Sequence, residues 1–179
     1  MRKIMTASSM LRVGAAALIT AMLLGFAVST TSADEQGGLT VNMRDKCDPT
    51  TFNAVFPGVC EGNGNVTFAE FVAKLNPTDF GHNAWRFNPG GAHAKAGKTI
   101  KVLNRGGETH SFSEVVAFGA GFVPELNGPL GLGPVPAVVV GPPNFVDAGD
   151  SVDIGGLTAG EHLFQCMIHP WMRSTITVK

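Results

Sequence analysis

The run His162-Leu-Phe-Gln-Cys166-Met-Ile-His169-Pro-Trp-Met172-Arg-Ser-Thr-Ile-Thr-Val178 decides the fold. Its first part, His162–Met167, has the composition of a strand. Its last part, Ser174–Val178, alternates, with Ile176 and Val178 on one face. A tight loop containing Pro170 joins the two. The pattern is a pair of antiparallel strands with Cys166 at the end of the first, a His three residues on, and a Met six residues on.

Working back along the chain, the same short-strand pattern continues to Ala84. Trp85–Asn88 reads as a strand with Pro89-Gly90-Gly91 as its turn. Thr99–Asn104 alternates, Arg105-Gly106-Gly107 breaks it, Thr109–Phe118 reads as a longer strand, and Ser151–Ile154 as a short one. Short strands with Gly and Pro turns indicate a mainly β sandwich. Residues 119–149 are rich in Gly and Pro and too long for a plain connection, so they read as an insertion with a strand near 136–140.

Residues 34–83 follow another pattern. The first ones, 34–44, are polar and read as a loose start. Asp48-Pro49 is an N-cap with Pro at the first helical position, opening a helix to about Phe56. Thr67-Phe-Ala-Glu70 is a capping box, followed by Phe68, Phe71, Val72 and Leu75 at helical spacing. Residues 34–83 are therefore expected to form a helical extension ahead of the sandwich, residues 84–179.

The start of the chain reads as an export signal. Arg2, Lys3 and Arg12 precede the apolar run Val13–Val28, and Thr31 and Ala33 fit a cleavage site after Ala33. An uncleaved anchor is the alternative, but the run is shorter than the roughly 20 residues of a comfortable span. Cleavage removes three basic residues and no acidic ones, leaving 10 basic against 14 acidic, a net charge of −4. Without a basic face the chain is not expected to bind nucleic acid. An exported chain, periplasmic or secreted, with no membrane span after cleavage is the expectation.

Export gives the three cysteines meaning. Cys47 and Cys60 are close enough in sequence to bridge, which leaves Cys166 unpaired. A free thiol in an oxidising compartment needs burial or a metal. Cys166, His169 and Met172 offer a thiolate, an imidazole and a thioether, a soft set that suits copper in both oxidation states. A second imidazole would complete a blue-copper set. Of the five His, His110 is the best placed, opening a strand after the turn Asn104–Glu108. His162 lies about 13 Å from Cys166 along a strand, too far to share a metal. His82 and His93 sit in Gly-rich connections and read as solvated.

The motif Cys-Met-Ile-His-Pro-Trp-Met resembles the ligand loop of cupredoxins, with the short spacing of amicyanin. Asn-Arg-Gly-Gly-Glu-Thr-His110 resembles the segment bearing the first copper His in that superfamily. The chain also resembles exported bacterial plastocyanin/azurin-like proteins. The resemblance implies a Greek-key cupredoxin sandwich and one copper ion held by His110, Cys166, His169 and Met172. It implies a one-electron carrier serving a redox protein partner, with copper storage or delivery as the alternative; a monomer is expected, and a copper oxidase or nitrite reductase is not, because His82, His93 and His162 do not pair as H-x-H to hold a second copper. Ser111 stands where many members have an Asn that ties the ligand loops. The chain has no Tyr, so a Tyr-based partner patch is absent. Trp171 reads as a ring packed over the site, or as part of an apolar docking rim. Phe164 is expected inward and Gln165 outward. Glu108 and Glu114 are read as solvated charge.

Overall fold

The computed structural model describes residues 38–179. The proposed signal segment lies outside them. No described helix is long and apolar enough to cross a membrane.

The chain enters through β1 (Thr40–Arg44), where a loose start was expected. Thr-Val-Asn-Met-Arg alternates, and Val41 and Met43 are fully buried while Thr40 and Arg44 are exposed. Two helices follow. In α1 (Pro49–Val55), Asp48 accepts a hydrogen bond from the Thr50 amide. In α2 (Phe68–Ala73), Thr67 and Glu70 form the reciprocal capping box. Their inner faces pack Phe52, Phe68 and Phe71 against one another and against Trp85, with Phe52 stacked on the indole at 5.7 Å. Cys47 and Cys60 form a disulfide across this segment.

The remaining strands are β2 (Arg86–Asn88), β3 (Gly91–Ala94), β4 (Ile100–Asn104), β5 (His110–Ser111), β6 (Ser113–Val115), β7 (Phe145–Val146), β8 (Ser151–Ile154), β9 (Gly160–Gln165) and β10 (Arg173–Val178). One sheet runs β2-β1-β4-β8 and another β3-β10-β9-β6, with β5 and β7 as a separate pair. The fold is thus mainly β, built on two four-stranded sheets. The shared core includes Val41, Phe87, Ile100, Val102, Phe112, Phe164 and Ile176. Phe112 and Phe164 stack at 4.3 Å. The core also contains Phe52 and Phe71, so the helices share the sandwich's apolar interior.

Thr109–Phe118 is not one strand. β5 pairs with β7, while β6 pairs with β9, and between them the Phe112 amide bonds the Asn144 carbonyl. This change of partner is what carries His110 away from the sheet toward the 166–172 loop. The insertion holds α3 (Pro124–Asn127) and one 3-10 turn (Gly128–Leu130). The strand expected near 136–140 reduces to isolated bridges, Val115 with Val139 and Ala120 with Pro136. Proline cannot donate to a ladder, and Pro134 and Pro136 stop one from extending.

Two polar residues differ from expectation. Gln165 is fully buried; its side chain accepts from the Gly119 amide and donates to the Ala120 carbonyl, anchoring the insertion. Glu114 is half-buried and bonds His162 Nδ1 at 2.7 Å, linking β6 to β9. Burial pushes the His162 pKa down, but the Glu114 and Thr158 hydrogen bonds and the Glu114 charge outweigh it, and the net shift is upward. The pair's contribution is therefore full below the ordinary His value of about 6.5 and lost as pH rises through the raised value. Compared with Glu114→Gln, the wild type should lose up to about 1 kcal/mol of unfolding free energy between about pH 5 and about pH 9. Urea titrations at both pH values check this; a constant difference between the proteins contradicts it.

Candidate metal centre

Among the described residues, His110, Cys166 and His169 form a buried group of three potential ligands. His110 Nδ1 lies 3.2 Å from His169 Nδ1, and Cys166 Sγ lies 4.0 and 3.9 Å from the two. The point equidistant from all three atoms is about 2.2 Å from each, within the roughly 2.0–2.3 Å range of transition-metal bonds to imidazole and thiolate. Two imidazoles and one thiolate converging within 4.0 Å are a donor set that would hold a single copper ion. The residues present therefore fit that metal.

The loop geometry follows from hydrogen bonds along its own backbone. The Cys166 amide bonds the Met172 carbonyl at 3.0 Å, and the Met172 amide bonds the His169 carbonyl at 2.9 Å. The loop is thereby pinched at both ends, and Met172 is fully buried inside it. Amides of Ser111 and His169 each approach Cys166 Sγ at 3.4 Å. Ser111 also joins the two ligand-bearing segments, since its Oγ accepts from the Met167 amide at 2.7 Å. Serine thus makes the cross-loop tie where the family resemblance led one to look for Asn.

Around the donors lies a shell that the sequence reading did not include. His110 Nε2 bonds Asp45 Oδ2 at 2.8 Å. His169 Nε2 lies 3.4 Å from Glu108 Oε2, and Trp85 Nε1 donates to the same oxygen. Glu108 is therefore buried, not solvated. It lies between His169 and the Trp85 indole, and each supplies a polar partner. Burial raises the Glu108 pKa, against the opposing effects of His169 and Trp85. Burial would raise Asp45 as well, but hydrogen bonds and charge from His110 and the Gly107 and Cys47 amides bring it below its ordinary value. Burial likewise pushes the Cys166 thiol up, and the two imidazoles more than reverse that. His110 is pushed up to about 9: burial lowers it, while Asp45 and Cys166 raise it further. Both shifts favour a charged His110 beside a charged Cys166, and metal binding at these atoms releases protons.

The other His residues stand apart. His162 is held by Glu114, and His93 is exposed on β3. His82 is half-buried, not fully solvated; its Nδ1 accepts from the Ala84 amide, and its carbonyl accepts from Trp171 Nε1. Trp171 packs edge-on to His169 at 5.3 Å. Gly81 allows this: its φ is +97°, and a Cβ there would lie 2.3 Å from the indole. Phe71 of α2 also packs edge-on to His169, which is only 3 % exposed. Beside it is a pocket of about 550 Å³ with apolar walls from Phe56, Phe71, Leu126 and Ile168, reaching Glu108 and His169.

No protein-family model and no curated protein matches the sequence. Among solved structures, the chain is similar to a purple cupredoxin from Nitrosopumilus maritimus, at 13 % identity over 79 % of this chain and 99 % of that one, with a TM-score of 0.42. It is also similar to an oxidised amicyanin variant, at 16 % identity over 84 % and 88 % of the two chains, with a TM-score of 0.41. A reduced amicyanin variant is 24 % identical over 52 % and 73 %, with a TM-score of 0.36.

Removing the Ser111 hydroxyl breaks the tie between the two segments and also takes away the acceptor of the Ser113 hydroxyl at 3.2 Å. Ser111→Ala leaves the Met167 amide buried without its acceptor, which should cost about 1–3 kcal/mol. Denaturant unfolding of metal-free protein measures this; a change within about 0.5 kcal/mol contradicts the role given to Ser111.

Proposed function

We propose that the protein holds one copper ion through His110, Cys166 and His169, with Met172 as the fourth and weakest ligand, and carries single electrons. The observation that carries this reading is the triangle of Nδ1, Nδ1 and Sγ atoms with a common point about 2.2 Å away. When bound, copper supplies a one-electron couple between its cupric and cuprous states.

The chain's own residues do the rest. The pinched 166–172 loop and the Ser111 hydroxyl fix the donors before metal arrives, so the same geometry serves both oxidation states. Trp171, Phe71 and Trp85 pack around His169 and leave it only 3 % exposed. A low-dielectric surround with fixed ligands keeps reorganisation on electron transfer small. An electron leaving by His169 crosses this thin apolar cover, and the pocket beside it offers a redox protein a place of contact.

The site described is a single centre on one chain, which suits a carrier better than an enzyme. His82, His93 and His162 point to other partners or to solvent. Export, with the signal at residues 1–33 removed and the mature chain acting as a monomer in the periplasm or outside the cell, agrees with the Cys47–Cys60 disulfide. Of the extension expected ahead of the 84–179 domain, β1 belongs to the sandwich's own sheet, and we propose that the helical part, α1 and α2, walls the metal centre.

Copper storage or delivery is the second reading, favoured by the same soft donor set. It calls for ready transfer of Cu(I) to an acceptor, which the buried, closed loop opposes.

Adding Cu(II) to the mature protein should give an intense visible thiolate-to-copper band that ascorbate bleaches reversibly. The band should vanish in Cys166→Ala. No band, or a band indifferent to that substitution, contradicts copper at Cys166. Rapid loss of Cu(I) to a chelator, without reoxidation by electron acceptors, would favour storage or delivery.

A further inference from the structure

Both imidazoles of the centre present Nδ1 inward, and both have a buried carboxylate at Nε2. We propose that Asp45 and Glu108 are positioning residues of this centre, fixing the tautomers of His110 and His169 and biasing a bound copper toward its oxidised state. The second half of this rests on the copper reading; the tautomer half does not.

Asp45 sits in a built cradle. Its Oδ2 takes His110 Nε2 at 2.8 Å and the Gly107 and Glu108 amides at 2.9 and 3.1 Å, and its Oδ1 takes the Cys47 amide at 3.1 Å. The side chains of Asp45 and His110 are 1 % and 0 % exposed. Two glycines make room. A Cβ on Gly106 would lie 1.9 Å from Asp45 Oδ2, and one on Gly107 would lie 2.5 Å from the Gly62 backbone. The turn Asn104-Arg-Gly-Gly-Glu108 is thus shaped around the carboxylate as well as toward His110.

An ionised carboxylate can only accept, so His110 Nε2 must carry the hydrogen. That leaves the Nδ1 lone pair for a metal once its proton is displaced. Glu108 acts on His169 in the same sense, steadied by Trp85 Nε1. Two buried negative groups one imidazole away from a metal stabilise the more positive oxidation state more than the less positive one. Neither group touches the metal position; each acts through its imidazole.

Two readouts test this. In metal-free wild type, at a pH above about 9 where the His110 ring is neutral, ¹⁵N spectra should show its remaining proton on Nε2 and slow to exchange with solvent. A His110 ring whose Nε2 lacks a proton overturns the proposal without reference to copper. In copper-loaded protein, Glu108→Gln and Asp45→Asn should each lower the preference for Cu(II) over Cu(I) at least tenfold. That is a rise of at least 59 mV in midpoint potential for one electron. Glu114→Gln, which removes a carboxylate remote from the centre, should change the preference less than twofold. If Asp45→Asn fails to fold, Glu108→Gln and the wild-type spectra decide. Unchanged potentials in a blue, copper-loaded variant overturn the bias while leaving the copper reading intact. A wild type that takes up no copper overturns that reading instead.

Discussion

A buried carboxylate pressed against a buried imidazole ties the end of β1 to the start of β5. Asp45 follows directly on β1, and His110 begins β5, and their contact spans 65 residues of sequence. Neither group could be left alone in an apolar interior, because an unpaired charge or an unmet ring nitrogen there is costly. The contact therefore requires β1 to lie in register beside β4, with the Asn104–Glu108 turn folded over the acid. From that arrangement follow the direction of His110, the placement of Glu108, and the approach of the helices to His169.

The second constraint is the loop from Cys166 to Met172. It closes on its own backbone and is carried by the β9 and β10 pair, with the Ser111 hydroxyl as its tie to the His110 segment. This difference explains what could be read in the sequence. Cys166 and His169 belong to one local motif, and their convergence was legible from spacing. The caps at Asp48 and Thr67 were legible for the same reason, since capping depends on residues two or three positions away. Strands β4, β8 and β10 were close to expectation because their alternation is regular.

What was not legible depends on pairing between distant segments. Thr-Val-Asn-Met-Arg alternates, but five residues beside a polar stretch gave little sign of a strand inside a sheet. Asp45 carries no motif at all; its role appears only once β1 lies parallel to β4. Glu108 looked like surface charge until Trp85 supplied its partner. Gln165 shows how a strand's alternation can mislead, because the insertion covers the face that the pattern assigned to solvent. The one strand expected over 109–118 divides because β7 and β9 compete for it on either side of Phe112.

These features bear jointly on the proposed role. The donors are held by bonds that do not involve a metal, and the imidazole nearest the surface is closed in by Phe71, Trp85 and Trp171. An arrangement of this kind favours a fixed centre passing electrons through a thin wall over one that opens to exchange its metal. The most direct measurement is the X-ray absorption fine structure at the copper edge of the loaded mature protein. One sulfur at about 2.3 Å and two imidazole nitrogens at about 2.0 Å are expected, unchanged in kind on reduction. A first shell of nitrogen and oxygen alone, with no short sulfur, would contradict this reading.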